Sequence, residues 1–352
     1  MKAARFHAAK DIRIEDIPEP ETRPGTVKID IAWCGICGTD LHEYLDGPIF
    51  CPEPGHPHPL THEEPPVTLG HEFSGVISEV GAGVDGLAIG DHVVVEPYIV
   101  CGECGPCKAG KYNLCDKMGF IGLAGAGGGL AEKIVVEQRW VHKVKDSVPL
   151  DQAAVIEPLT VAVHAVRISG AQAGEWALVG GAGPIGLLTA AVLKGEGLKV
   201  IISEVADLRK QKAQESGVAD VIIDPSQEDL KARVLEVTGG AGADAAFECA
   251  GVNVVFDGLQ DALKPGGVLT NVSIWGHDAT IDMHKLVNKE LTVHGTIGYA
   301  NDHPTSIKLV EDGKVDVTPF ITGRIALDDL IDQGFKTLID HKDTAVKILV
   351  HP

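Results

Sequence analysis

No apolar run in the chain approaches the ~20 residues needed to span a bilayer. The first residues, Met1-Lys2-Ala3-Ala4-Arg5-Phe6-His7, give way to Asp11, Glu15, Asp16 and Glu19 without a secretory apolar core. A membrane partner is therefore excluded and a cytoplasmic location is expected. Basic residues are scarce, with 30 Lys and Arg against 50 Asp and Glu and a formal net charge of −20. Nucleic acid is excluded as a partner, because a surface for it must replace phosphate counterions with Lys and Arg. The acidity reads as solubility and not as a site. Eight cysteines in 352 residues are too few for a secreted disulfide scaffold. Internal repeats and low-complexity linkers are absent as well. What is present, 44% hydrophobic and 23% charged residues, is the make-up of a globular protein. Its length exceeds what one core usually fills, so two domains are expected.

From Lys2 to about Pro149 short β-type runs alternate with Gly and Pro. Examples are Val27–Ala32, Gly75–Val80 and Asp91–Val95. Many short strands of this kind imply a small barrel or sandwich. Gly125–Gly129 lacks the strand-then-helix setting of a phosphate loop and reads as a flexible entry into a strand at Ala131–Val136. From about Val155 the texture changes to alternating strands and helices. A helix is expected over Pro158–Ser169, ending at Gly170, then strands at Trp176–Val179, Lys199–Ser203, Ala219–Ile223, Ala245–Cys249 and Gly267–Val272. Such alternation means an α/β, doubly wound parallel sheet. The expected division is a β-rich catalytic domain over 1–154 with a metal lobe at about 96–118, a nucleotide-binding domain over 155–296, and a return to the first domain over 297–352.

Gly181-Ala182-Gly183-Pro184-Ile185-Gly186 matches G-x-G-x-x-G and lies between an expected strand and an expected helix. Gly181 permits the tight turn, Gly183 lets backbone amides approach a pyrophosphate, and Gly186 lets the helix pack on the strand. Pro184 suits a first helical position, where its missing N–H costs nothing. Glu204, at the end of the next strand, is placed to accept hydrogen bonds from a ribose and to repel a 2′-phosphate. NAD is thereby preferred over NADP, with Arg209 read as lying over the adenine. The bland reading of Glu204 is a solvated strand end.

Half of the cysteines fall in one stretch, Cys101, Cys104, Cys107 and Cys115, spaced C-x2-C-x2-C-x7-C. Four thiolates on a short loop can close a tetrahedron around Zn²⁺ with no open position, which makes the site structural. An iron–sulfur cluster or disulfides are the rival readings, disfavoured by the absent Cys-Pro ending and by reducing surroundings. Cys34, Cys51 and Cys249 read as free thiols, although Cys34 and Cys37 also form a Cys-x-x-Cys pair open to a redox reading. His56, His58 and His62 lie among prolines in 51–66, either a third metal site or, preferred, a surface loop. Cys37, His71 and Glu157 each have an ordinary explanation when taken alone: a buried thiol, a core imidazole, an acid at a helix start.

The chain resembles the zinc-containing medium-chain dehydrogenases over essentially its whole length. The resemblance rests on Cys34-Gly-Ile-Cys37-Gly-Thr39-Asp40-Leu-His42, on Gly70-His71-Glu72-Phe-Ser-Gly75, on the four-cysteine lobe, on Glu157-Pro158 and on the glycine turn. Within the family it is similar to the 2,3-butanediol dehydrogenases through Asp40–Phe50, His58-Pro59-Leu60 and the ending from Ile321-Thr-Gly-Arg324 through Val346–Val350. The resemblance implies a Rossmann nucleotide domain beside a GroES-like catalytic domain. It implies a catalytic Zn²⁺ held by Cys37, His71 and Glu157 with a fourth position open, besides the structural Zn²⁺. Glu72 would bind that metal directly or exchange with water, and Asp40 would orient His71. A proton would leave through the Thr39 hydroxyl, the cofactor ribose and His42.

The implied activity is hydride transfer between NAD and a small diol or hydroxyketone, 2,3-butanediol and acetoin above all, in a homodimer or homotetramer. A polyol dehydrogenase of the sorbitol type, a threonine dehydrogenase and a non-catalytic NAD-binding relative are the competing readings.

Overall fold

The strand Thr26–Gly35 is buried at seven of its ten positions because partners cover both of its edges. Glu72–Val80 pairs along one edge, with Val27 opposite Val80 and Gly35 opposite Glu72. Lys133–Glu137 takes the first half of the other edge and Lys347–His351 takes the second, at Cys34 and Gly35. The full sheet has seven strands, in the order Val141–Lys143, His92–Val95, Glu72–Val80, Thr26–Gly35, Lys347–His351, Ile321–Ala326, with Lys133–Glu137 off that path. Within it only the last pair is parallel; the rest is antiparallel. This computed structural model describes residues 1–341 and 345–352.

The second sheet has six parallel strands in the order Val221–Ile223, Lys199–Ser203, Trp176–Gly180, Ala243–Glu248, Leu263–Asn271, Thr292–Gly295. Strands covered on both faces read as continuous apolar runs, and Ala177, Leu178, Val179, Val200, Ile201 and Ile202 are all fully buried. One core packs Leu178, Ile201 and Leu269 of the sheet against Val234 and Leu259 of helices. The strand order reverses between Trp176–Gly180 and Ala243–Glu248, the position at which such sheets bind their ligands.

Contacts divide the chain into Met1–Glu157 with Ile321–Pro352, and Pro158–Phe320. Each expected strand of the second unit is present within a few residues. The return to the first unit comes at Ile321, later than the expected residue 297. What holds 300–315 to the second unit is tertiary. Asp302 is almost fully buried, accepts from Arg167 Nε at 2.6 Å and pairs with His164 Nδ1 at 2.7 Å. Both partners sit on the helix Ile156–Ser169, too far away in sequence for any local pattern to show the pairing. Val315 also lies where a side chain at Gly195 would collide with it. Among the described residues no helix is long and apolar enough to cross a membrane.

Burial alone would raise the Asp302 carboxyl, but hydrogen bonds from His164 and Arg167 hold it down at about 2. A depressed acid stabilises the fold above its unfolded pKa and loses that contribution as pH falls through the folded value. Asp302→Asn should therefore destabilise the protein at neutral pH by about 2 kcal/mol. The gap to wild type should close as pH drops from about 4 towards 2, which urea titrations across that range read directly.

Candidate metal centres and nucleotide site

In the cysteine lobe a short helix, Gly105–Lys108, starts immediately after Cys104, and a 3-10 turn, Tyr112–Leu114, precedes Cys115. These turns bring the sulfurs of Cys101, Cys104, Cys107 and Cys115 within 4.8 Å of one another. All four are free of disulfides. Backbone amides aim at the sulfurs: Cys104 N–H donates to Cys101 Sγ, and the amides of Cys101 and Lys117 donate to Cys115 Sγ, each at 3.4 Å. Amides of Glu103 and Cys104 pull the Cys101 thiol down to about 6, whereas desolvation pushes Cys107 up to about 12. A closed set of four sulfurs fits a tetrahedral metal without an open position.

Cys37 is the N-cap of the helix Gly38–Asp46 and forms a reciprocal box with Asp40, whose Oδ2 accepts the Cys37 amide at 2.9 Å. The box holds the Cys37 sulfur at the helix mouth, 3.7 Å from the Thr39 hydroxyl. Asp40 is fully buried, and desolvation pushes its carboxyl up to about 6 against the pull of His71 and the Cys37 amide. Its Oδ1 lies 3.7 Å from His71 Nδ1. His71 follows Gly70, whose φ is +96° and where an added Cβ would lie 2.6 Å from the Leu130 amide nitrogen, so the position admits only glycine. Burial works against charge on the His71 ring, yet Cys37, Asp40 and Glu157 together raise its pKa well above the usual value.

Donor atoms of Cys37, His71 and Glu72 lie within 4.8 Å of one another. Glu157 is not in that tight set. It is buried in the first turn of Ile156–Ser169, and its charge acts on His71. Sulfur, imidazole and carboxylate converging, with His71 and Glu72 buried, suit a divalent metal; His71 Nδ1 and Asp40 Oδ1 face each other without a hydrogen bond of normal length.

Lys347 was not legible as part of this site. Its Nζ donates to both oxygens of Glu72, at 2.6 and 2.8 Å, and to the Ile36 carbonyl at 3.1 Å. Burial favours the neutral amine, but Glu72 and Cys37 outweigh it and keep the ammonium charged. The usable signal was a single cation inside the apolar strand Val346-Lys347-Ile348-Leu349-Val350.

Of the remaining cysteines, Cys34 is buried with its thiol pushed well up by desolvation and is not bonded to Cys37, which gives a Cys34–Cys37 redox pair no support. No group of three close metal donors among the described residues includes His56, His58 or His62. Their loop is instead fastened down: Thr61 donates to the Ala124 carbonyl at 2.7 Å and Glu63 accepts the Ala126 amide at 2.8 Å. Gly125–Gly129 is a close-packed crossing, not a flexible entry. Side chains at Gly128 and Gly129 would strike Leu69 and Phe73.

The glycine turn follows Trp176–Gly180 and opens the helix Pro184–Gly195, with Gly183 as N-cap, Pro184 first in the helix and Ile185 half-buried behind it. The three glycines have different surroundings. Gly181 has φ +96°, Gly183 faces open space, and a side chain at Gly186 would lie 2.0 Å from the Gly181 carbonyl. Glu204 is buried at the end of the neighbouring strand. Its Oε2 accepts the Ala182 amide at 2.8 Å, and its Oε1 accepts the amides of Val205 and Ala206. It therefore braces the turn itself, with Arg209 3.9 Å away.

Residues 23–146 match the alcohol dehydrogenase GroES-like domain and residues 184–312 the zinc-binding dehydrogenase domain. An (R,R)-butanediol dehydrogenase of Neisseria gonorrhoeae is 59% identical, over 100% of this chain and 99% of that protein. The chain belongs to the zinc-dependent medium-chain alcohol dehydrogenase family. The crystal structure of 2R,3R-butanediol dehydrogenase from Bacillus subtilis superposes with a TM-score of 0.94 at 47% identity, covering 100% and 99% of the two chains. A sorbitol dehydrogenase of Bacillus subtilis is 32% identical over 100% of this chain and 97% of that protein. The expected fold class, a parallel nucleotide-binding sheet with a GroES-like partner domain, and the enzymatic character of the chain both stand.

Two measurements probe these sites. Wild type should hold about two zinc ions per chain. Cys37→Ser and Cys104→Ser should each hold about one, with only Cys104→Ser lowering the melting temperature markedly, by elemental analysis and calorimetry. Glu204→Ala should weaken NAD by about tenfold and NADP by less, in fluorescence titrations; equal losses would confine Glu204 to bracing the turn.

Proposed function

We propose that this chain oxidises (R,R)-2,3-butanediol to acetoin with NAD and catalyses the reverse reduction. The observation that carries the reading is end-to-end similarity at 59% identity to an (R,R)-butanediol dehydrogenase, in a chain whose thiol, imidazole and carboxylate donors converge. Cys37, His71 and Glu157 would hold the catalytic zinc, and Gly181, Gly183, Ile185 and Glu204 the NAD. When bound, zinc lowers the pKa of an alcohol and NAD accepts its hydride. Asp40 orients the His71 ring and favours the tautomer that leaves the other nitrogen for the metal. The Thr39 hydroxyl, beside the Cys37 sulfur, would take the proton from the substrate oxygen while passing its own to the cofactor ribose. His42, one turn further along the same helix and exposed, would accept the proton from the ribose and release it to water.

Preference for a butanediol over a polyol has its own support. Glu43, fully buried on the helix of Thr39 and His42, accepts the amides of Ile49 and Cys51 at 3.0 and 3.2 Å and also that of Phe50. This fixes a loop that leaves Ile49 and Phe50 exposed. Where that loop borders the substrate, these apolar side chains would suit the two methyl groups of butanediol and offer nothing to the hydroxyls of sorbitol.

Self-association into a homodimer or homotetramer belongs to the same reading. The strand Thr292–Gly295 ends its sheet, and Met283 and Val287 on the helix before it are exposed. A cytoplasmic location follows from four thiolates that need reducing surroundings; cell fractionation reads it.

Purified enzyme should show kcat/KM for (R,R)-butanediol at least 100-fold above sorbitol, xylitol and threonine, with chiral chromatography returning (R)-acetoin. A preference for a polyol would end the assignment of substrate. Sedimentation should give a dimer or tetramer, and a monomer at micromolar concentration would remove the assembly.

A further inference from the structure

Among the described residues the buried lysines are Lys28 and Lys347. They are not alike. Lys28 reaches out to Glu19 and Glu79, whose side chains are about half exposed. Lys347 has only buried partners: Glu72, which is 1% exposed, and the Ile36 carbonyl. A buried ion pair seldom gains stability over apolar packing of the same volume, so its presence calls for another reason.

The pair is seated by three strands. Gly35 stands opposite Glu72 in one ladder and opposite Leu349 in the next, and Lys347 begins the strand that carries Leu349. A side chain at Gly35 would lie 2.2 Å from Glu72 Oε2 and 3.3 Å from Lys347 Cδ, so the space is cut to fit this pair. Glu72 meanwhile keeps an oxygen within 4.8 Å of the donor atoms of Cys37 and His71. It is thus in reach of a metal and is held at both oxygens by an ammonium instead.

We infer that Lys347 is a positioning residue that holds Glu72 off the catalytic metal, as a charge partner and not a ligand. This rests on the metal-site reading above. Charge balance agrees with it. Cys37, Asp40, Glu72 and Glu157 gather negative charge at this place, and Lys347 answers part of it beside a divalent ion. With Lys347 made neutral, the Glu72 carboxylate has no buried cation left but the metal. It then takes the position that an alcohol oxygen needs.

Cobalt(II) in the full-length protein tests this without turnover, by its d–d absorption and by its release to a chelator. The lobe's contribution is subtracted using Cys37→Ser. In Lys347→Met the band should change in intensity and position as a carboxylate joins the metal, and release should slow by about tenfold. Adding Glu72→Gln to Lys347→Met should restore both. A folded Lys347→Met with wild-type band and release overturns the inference. Glu72→Gln alone, with Lys347 intact, should leave the band as in wild type; a changed band shows Glu72 bound to the metal in the native enzyme and overturns it too, whatever becomes of Lys347→Met. If wild type takes up no cobalt beyond the lobe, the metal-site reading itself fails.

Discussion

Anionic groups gathered in a dry interior must be matched by cations, and the first unit gathers them at one place. Cys37, Asp40, Glu72 and Glu157 approach two groups that can carry positive charge, His71 and Lys347. An unmatched buried charge costs several kcal/mol. Part of the cost is removed by hydrogen bonds, as where the Cys37 amide reaches Asp40. Part is removed by raising a pKa, as burial does for Asp40. The rest is what a divalent ion would offset, and the excess of negative charge favours one there.

One nine-residue helix concentrates much of the chemistry, and its capping box explains why. In a helix of the Gly38–Asp46 type the N-cap side chain and the third helical residue face each other. Here those two positions are the thiol proposed to bind metal and the acid that faces the His71 imidazole. Thr39 and His42 follow at a spacing of three, on one face. Glu43 turns inward and collects the amides of the following loop. In the proposed function a single local fold would thereby align the metal-binding thiol with the proton path.

How much could be read from the sequence tracks how local each feature is. The cysteine lobe was legible because its four sulfurs lie within fifteen residues, and the glycine turn because its spacing falls in one six-residue string, where Gly181 and Gly186 answer separate steric demands. The parallel strands were legible from their unbroken apolar runs. The edge strand Thr292–Gly295 was not, since two of its residues are exposed, two are half-buried, and it lacks any such run. The boundary at Ile321 was hidden because Asp302 finds its partners on a helix far back in the chain. Lys347 was hidden for the same reason, and Glu204 was placed correctly on its strand without any sign that its first task is to accept the Ala182 amide.

The same contrast separates the two metal centres. In the lobe a loop can close around its ion by itself, so metal binding and local folding are one event. The other centre draws on a helix cap, on the strand start at Glu72, on the helix start at Glu157 and on the last strand of the chain. None of these is near another in sequence. The Lys347–Glu72 pair depends on Gly35 and Lys347–His351 being in register, so this place is built by long-range strand pairing and not by one loop. A catalytic ion held there would meet carboxylates whose reach the strands set.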